Sequence, residues 1–255
     1  MQPGFSKRNV LLLAFFGLLG VTVPAFAAAP TAWLEVMGQQ WEIDEFVQDG
    51  DLWNASFSLS DMGWAAAGQL HVQSDPYISY GIAFTNFTGQ DIGFALYVSN
   101  PIDFMFDDRT FVYSSYSGSG TDVEGDGFHI IANVADSEGD NDGVDELQMT
   151  WLDGFYGETM TVDVGQTFSD NNEEGYPPGH SDDLGAFSSG PRLGPAGFHS
   201  TQDLLLSFDL AGGGDIATLN GYSTIYAQPI PEPTSLVLIG LGLAGAVVVR
   251  ARRKA

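Results

Sequence analysis

Apolar and polar residues alternate at a spacing of two through most of this chain, and that alternation restricts it to β-structure. Trp53, Ala55, Phe57 and Leu59 are separated by polar neighbours, as are Tyr80, Ile82 and Phe84, then Ile92, Phe94, Leu96 and Val98. Successive side chains of a strand point to opposite faces, so each run buries one face and exposes the other. Further candidate strands are 110–116, 128–134, 147–152, 160–164, 204–210 and 216–227, and no long segment has the period of an amphipathic helix. Thr88-Gly89-Gln90-Asp91 supplies turn chemistry and predicts an antiparallel hairpin between 82–87 and 92–98. The stretch 169–198, rich in Asn, Glu, Gly, Pro and Ser, predicts a long surface loop. The expected fold class is all-β, a single β-sandwich or jelly roll.

Charge divides the 255 residues sharply. Six of the eight basic residues stand near the two ends: Lys7, Arg8, Arg250, Arg252, Arg253 and Lys254. Between them lie Arg109 and Arg192 against 32 of the 33 acids, so the intervening region carries a net charge of −30. Such a field repels nucleic acid and excludes it as a partner, whereas divalent cations and basic surfaces are attracted. Solubility alone would account for the charge equally well. With no cysteine there is neither a disulfide nor a thiolate metal site, so stability must come from packing, to which bound ions could add.

Both ends read as export signals. Lys7 and Arg8 precede the apolar run 10–23, and Ala25 and Ala27 are small residues at the two positions that a signal peptidase reads, which predicts cleavage before Ala28. At the other end, Pro231-Glu232-Pro233 leads into an uncharged run that ends at Arg250, Arg252, Arg253 and Lys254. Pro233 suits the first turn of a helix, and Glu232 complements its dipole. A helix over 234–249 would span about 24 Å, short for a hydrocarbon core of about 30 Å, so the terminal cations would snorkel. Those cations orient the helix with its basic end in the cytoplasm and the acidic region across the inner membrane. Three segments follow: a signal peptide over 1–27, an acidic β-sandwich ectodomain over 28–229, and a tail over 230–255 with its basic end at 250–255.

This order of Pro-Glu-Pro, short apolar helix and Arg-rich terminus resembles the PEP-CTERM sorting signal of Gram-negative bacteria. The resemblance implies that an exosortase-type membrane protease with a cysteine nucleophile recognises Pro231, Glu232 and Pro233. It would remove the helix and pass the protein to the cell surface or the medium, in association with extracellular polysaccharide and biofilm. The tail concerns address and is silent about activity.

Within the ectodomain, the segment from Asp136 to Glu146 spaces carboxylates at alternate positions around Gly143. Glu138, Asp140, Asp142, the Val144 carbonyl and Glu146 would offer hard oxygen ligands to calcium, the one cofactor that the residues suggest. The segment is not an EF-hand, because Met149 stands where the bidentate Glu would be needed and the flanks read as strands. A solvated acidic turn explains the same residues. Gly179-His180-Ser181-Asp182-Asp183 departs from a nucleophile elbow, with Asp183 in place of the second glycine. His71, His129, His180 and His199 show no metalloprotease spacing. Trp33, Trp41, Trp53, Trp64 and Trp151 are either core residues or a sugar-stacking platform. The reading is a non-enzymatic, exported surface or matrix protein; the alternatives are a calcium-assisted carbohydrate-binding module and a secreted hydrolase.

Overall fold

The computed structural model describes residues 28–106, 110–134, 146–154, 159–170, 177–194 and 197–227. Among them sixteen strands are present. In chain order they are β1 (Thr31–Val36), β2 (Gln39–Ile43), β3 (Val47–Asp49), β4 (Leu52–Asp61), β5 (Trp64–Gln73), β6 (Tyr77–Asn86), β7 (Ile92–Phe106) and β8 (Thr110–Asp122). There follow β9 (Phe128–Ala132), β10 (Gln148–Gly154), β11 (Thr159–Val164), β12 (Phe168–Asp170), β13 (His180–Ser188), β14 (Arg192–Leu193), β15 (Gly197–Leu210) and β16 (Asp215–Ala227).

They form two antiparallel eight-stranded sheets. Sheet A runs β11-β10-β15-β7-β1-β2, with β9 on β15 and β12 on β9; sheet B runs β13-β8-β16-β6-β5-β4-β3, with β14 on β8. Inward side chains of the two sheets meet in a sandwich core. Phe84 of β6 lies against Phe94 of β7 and Phe208 of β15, with ring centroids 5.2 and 5.1 Å away. The alternation over β6, β7, β15 and β16 is visible residue by residue: Ile78, Ile82 and Phe84, then Phe94, Leu96 and Val98, are almost wholly buried.

Two expectations are corrected. The segments 82–87 and 92–98 do not form a hairpin, because β6 belongs to sheet B and β7 to sheet A. Asn86 turns the chain across the sandwich: its amide donates to the carbonyls of Gln90 and Leu210, and its Oδ1 accepts from the Thr88 backbone and hydroxyl. A hairpin and a sandwich corner share one hydrophobic pattern, so the sequence does not separate them. The stretch 169–198 is also not simply a loop. It holds β13 and β14, both paired with β8.

A polar seam crosses the core. Tyr80 donates from its hydroxyl to Gln148 Oε1 at 2.6 Å, and Gln148 Nε2 donates to Ser114 Oγ at 2.6 Å, which joins β6 and β8 to β10. Gln202 Nε2 donates to Ser223 Oγ at 3.0 Å and joins β15 to β16. Burial, and then the proximity of Tyr116, holds the Tyr80 phenol well above its ordinary pKa, so it stays a neutral donor. Gly221 leaves the space for this seam, since a Cβ there would lie 2.5 Å from both Tyr80 Oη and Gln148 Oε1. Gly221→Ala should therefore lower stability by about 2 kcal/mol through crowding and a lost hydrogen bond. A urea midpoint equal to that of the parent chain would refute this.

Candidate ligand-binding face and acidic rim

In β1, Ala32, Leu34 and Val36 point into the core, so Trp33 must stand on the outer face of sheet A. Directly across on β7 is Tyr97, and two strands further, on β10, is Trp151. Trp33 and Tyr97 stack with centroids 3.7 Å apart, and Tyr97 lies 5.6 Å from Trp151. Between them Asp203 of β15 is 2% exposed; it accepts from Tyr97 Oη at 2.8 Å on Oδ1 and from Thr201 Oγ1 at 2.8 Å on Oδ2. These bonds fix the ring of Tyr97, and the stack fixes Trp33.

Trp33 also lines a cleft of about 490 Å³ at the β1–β2 edge, together with Phe46, Thr31, Gln40, Glu42 and Asp44. Aromatic walls with a few acceptors are what a pyranose ring needs: its C–H face packs on an aromatic ring, and its hydroxyls donate to carboxylates and amides. The other tryptophans serve the core. Trp64 is buried and meets Trp41 edge-on at 4.7 Å, while Trp53 packs against the main hydrophobic cluster. Sheet B carries a second outer row, Tyr77, Tyr222 and Tyr113, with neighbouring rings 6.0 and 5.5 Å apart.

At one end of the sandwich, three connections between the sheets converge. They are the β6–β7 turn, the β8–β9 turn and the β15–β16 turn. Asp122, at the end of β8, organises the second: its Oδ1 accepts from the Gly125 amide at 2.6 Å and its Oδ2 from the Gly127 amide at 2.9 Å. Asp215, at the start of β16, accepts from the Val123 amide at 3.0 Å on Oδ1. Asp122, Asp126 and Asp215 each bring a carboxylate oxygen within 4.8 Å of the others. Burial chiefly, and then the charges of Asp122 and Asp126, push the Asp215 carboxyl from 3.8 up to about 7, against lowering by the Val123 hydrogen bond and His129. Beside this group lies a cavity of about 300 Å³ whose walls include Asp91, Glu124, Asp126, His129 and Gly213. His129 Nε2 and Asp91 Oδ2 are 2.9 Å apart there.

The sequence-derived sites fall largely elsewhere. Ala25, Ala27, Pro231, Glu232, Pro233, Arg250, Arg252, Arg253 and Lys254 lie outside the described residues, as do Glu138, Asp140, Asp142 and Val144. Ala28 is exposed just ahead of β1. Glu146 is described: it is buried and forms a backbone bridge with Val134 that closes the base of the acidic segment. Ser181 lies within β13 and shares a hydrogen bond with Thr121 at 2.8 Å, on a strand rather than at a strand-to-helix turn. Among the described residues no helix is long and apolar enough to cross a membrane. The rim carboxylates Asp122, Asp126 and Asp215 were not singled out from sequence, although Asp122-Val123-Glu124-Gly125-Asp126-Gly127 repeats the alternating-acid pattern of 136–146.

No curated protein matches the chain in sequence. Among solved structures, TmCBM61 in complex with beta-1,4-galactotriose is 9% identical, covering 65% of this chain and 88% of its own, with a TM-score of 0.26. The Slr1438 protein from Synechocystis sp. PCC 6803 is 8% identical, covering 75% of this chain and 72% of its own, with a TM-score of 0.29. Residues 229–254 match the PEP-CTERM protein-sorting motif. That motif implies processing by an exosortase-type membrane protease, a membrane-anchored precursor and sorting to the cell surface. The described residues are thus all-β, and the chain carries a PEP-CTERM sorting motif at residues 229–254.

Proposed function

We propose that this is a non-enzymatic protein of the cell surface or extracellular matrix that holds neutral polysaccharide on the outer face of sheet A. The observation that carries the reading is the aromatic row Trp33, Tyr97 and Trp151, which runs into a cleft furnished with Gln40, Glu42 and Asp44. The row is held in place before any ligand arrives, by ring stacking and by the Tyr97 hydrogen bond to Asp203, so little side-chain freedom is lost on binding. The net charge of −30 favours neutral over anionic glycans. Sorting to the cell surface, which the motif at 229–254 implies, supports the reading, because a protein there would meet extracellular polysaccharide.

Affinity electrophoresis of the full chain through gels containing neutral or anionic polysaccharides tests this. Retardation is expected in a neutral gel, and Trp33→Ala should weaken it about tenfold, equal to about 1.4 kcal/mol. Absence of retardation in every gel, or equal retardation of the variant, would defeat the reading.

A further inference from the structure

We infer that Asp122, Asp126 and Asp215 form a calcium site that clamps the β8–β9 turn to the first residue of β16. Three negative groups crowded within 4.8 Å would by themselves say little, since acidic rims are common on a chain of this charge. The independent observation is Asp215. Its side chain is wholly buried, and its Oδ2 has no hydrogen-bond partner among the described residues, although Oδ1 is satisfied by Val123. A carboxylate sequestered from water with one oxygen unsatisfied is costly unless a cation or proton meets it. The group belongs to the trio whose oxygens converge, and Asp126 is its exposed member, so an ion has a route in from solvent.

The surroundings are shaped for this arrangement. Gly125 and Gly127 adopt φ of 82° and 110°, which lets the turn wrap back so that both amides reach Asp122. Gly213 has φ of 86°, and a Cβ there would lie 3.4 Å from Asp126 Oδ1. The donor set is all oxygen and carries three charges, without the thiolate or imidazole that would favour zinc or copper. Calcium accepts such a set with irregular geometry and adds water to complete it, whereas magnesium demands a stricter octahedron and keeps its waters. The residues are distinct from the alternating acids of 136–146, and the inference stands apart from polysaccharide binding.

Isothermal titration of the full chain in detergent with calcium chloride, at fixed ionic strength after chelation, provides the test. A saturable site is expected, with magnesium at least tenfold weaker. Asp126→Asn, a change at an exposed position that should fold normally, is expected to weaken calcium binding about tenfold, and Asp215→Asn to weaken it at least as much. Asp140→Asn with Asp142→Asn should leave this binding in place. The inference is overturned if no saturable binding is found, if magnesium matches calcium, if Asp126→Asn binds like the parent, or if only the pair at 140 and 142 removes the site.

Discussion

Replacing Pro231, Glu232 and Pro233 together by alanine should hold nearly all of the protein in the membrane fraction, where the parent chain is released or transferred to the surface. The two functions of the tail are physically separable. Anchoring is expected from the uncharged run over 234–249 and from Arg250, Arg252, Arg253 and Lys254, which remain in the variant. Recognition by the processing enzyme would depend on the Pro-Glu-Pro residues, which are lost. Proline fixes φ near −65° and removes a backbone donor, so alanines would let a helix expected over 234–249 extend into positions 231–233. Cell fractionation, with mass spectrometry of the C-terminus, reads the outcome directly. Normal release with a processed terminus would mean that the tail acts as an anchor without a recognition signal.

The second large effect concerns Asp215. With calcium chelated, Asp215→Asn should make the chain more stable, and increasingly so as pH rises. The folded carboxyl titrates at about 7 and the unfolded one at 3.8, so between these values the folded state binds the extra proton. Stability of the parent therefore falls as pH rises through this window and levels off above about 7, whereas the variant lacks this component. The gap between urea-derived stabilities should grow from about 2 kcal/mol at pH 5 to about 4 kcal/mol at pH 8. Asparagine can still accept from Val123, and its amide can donate to the neighbouring carboxylates, so the site is preserved in shape. A gap that is flat or reversed across this range would show that the Asp215 carboxylate is not strained by burial and crowding.

Much of the sandwich can be read from spacing alone, because strands that bury one face must alternate. Of the nine runs expected from the pattern seven lie within strands, including those in β6, β7, β15 and β16 at the centre of the sheets, while 128–134 overruns β9 by two residues and 147–152 starts one residue before β10. β1 escaped although it alternates, but β5 and β13 lack that contrast. β5 begins Trp64-Ala65-Ala66-Ala67-Gly68, where small residues face both ways, and it is recognisable only through its pairing with β4 and β6. β13 buries Leu184 alone among His180–Ser188, since it lies at the edge of sheet B and is held by backbone pairing with β8. The aromatic face was not read from the sequence: Ala32, Leu34 and Val36 alternate and could have placed Trp33 opposite to the core, but 31–36 was not among the expected strands, and the union of Trp33 with Tyr97 and Trp151 depends on the order of strands in sheet A. The acidic rim was half legible, because Asp122 and Asp126 share a turn motif while Asp215 joins them only through the pairing of β16 with β8. The assignment of ligands to 138–146 rested on the same alternating-acid signal at a second place in the chain.

The position of β16 bears on how the ectodomain would behave under tension. The sorting motif begins two residues after this strand ends at Ala227, and β16 is not an edge but an interior strand, paired along its length with β6 on one side and β8 on the other. A pull arriving from residue 229 therefore runs along the strand axis and must shear both ladders at once, rather than peel them open one bond at a time. Yielding would require ten paired positions with β6 and twelve with β8 to slip together. A surface protein tethered at that end would transmit drag from its surroundings into the middle of sheet B, where two ladders share the load.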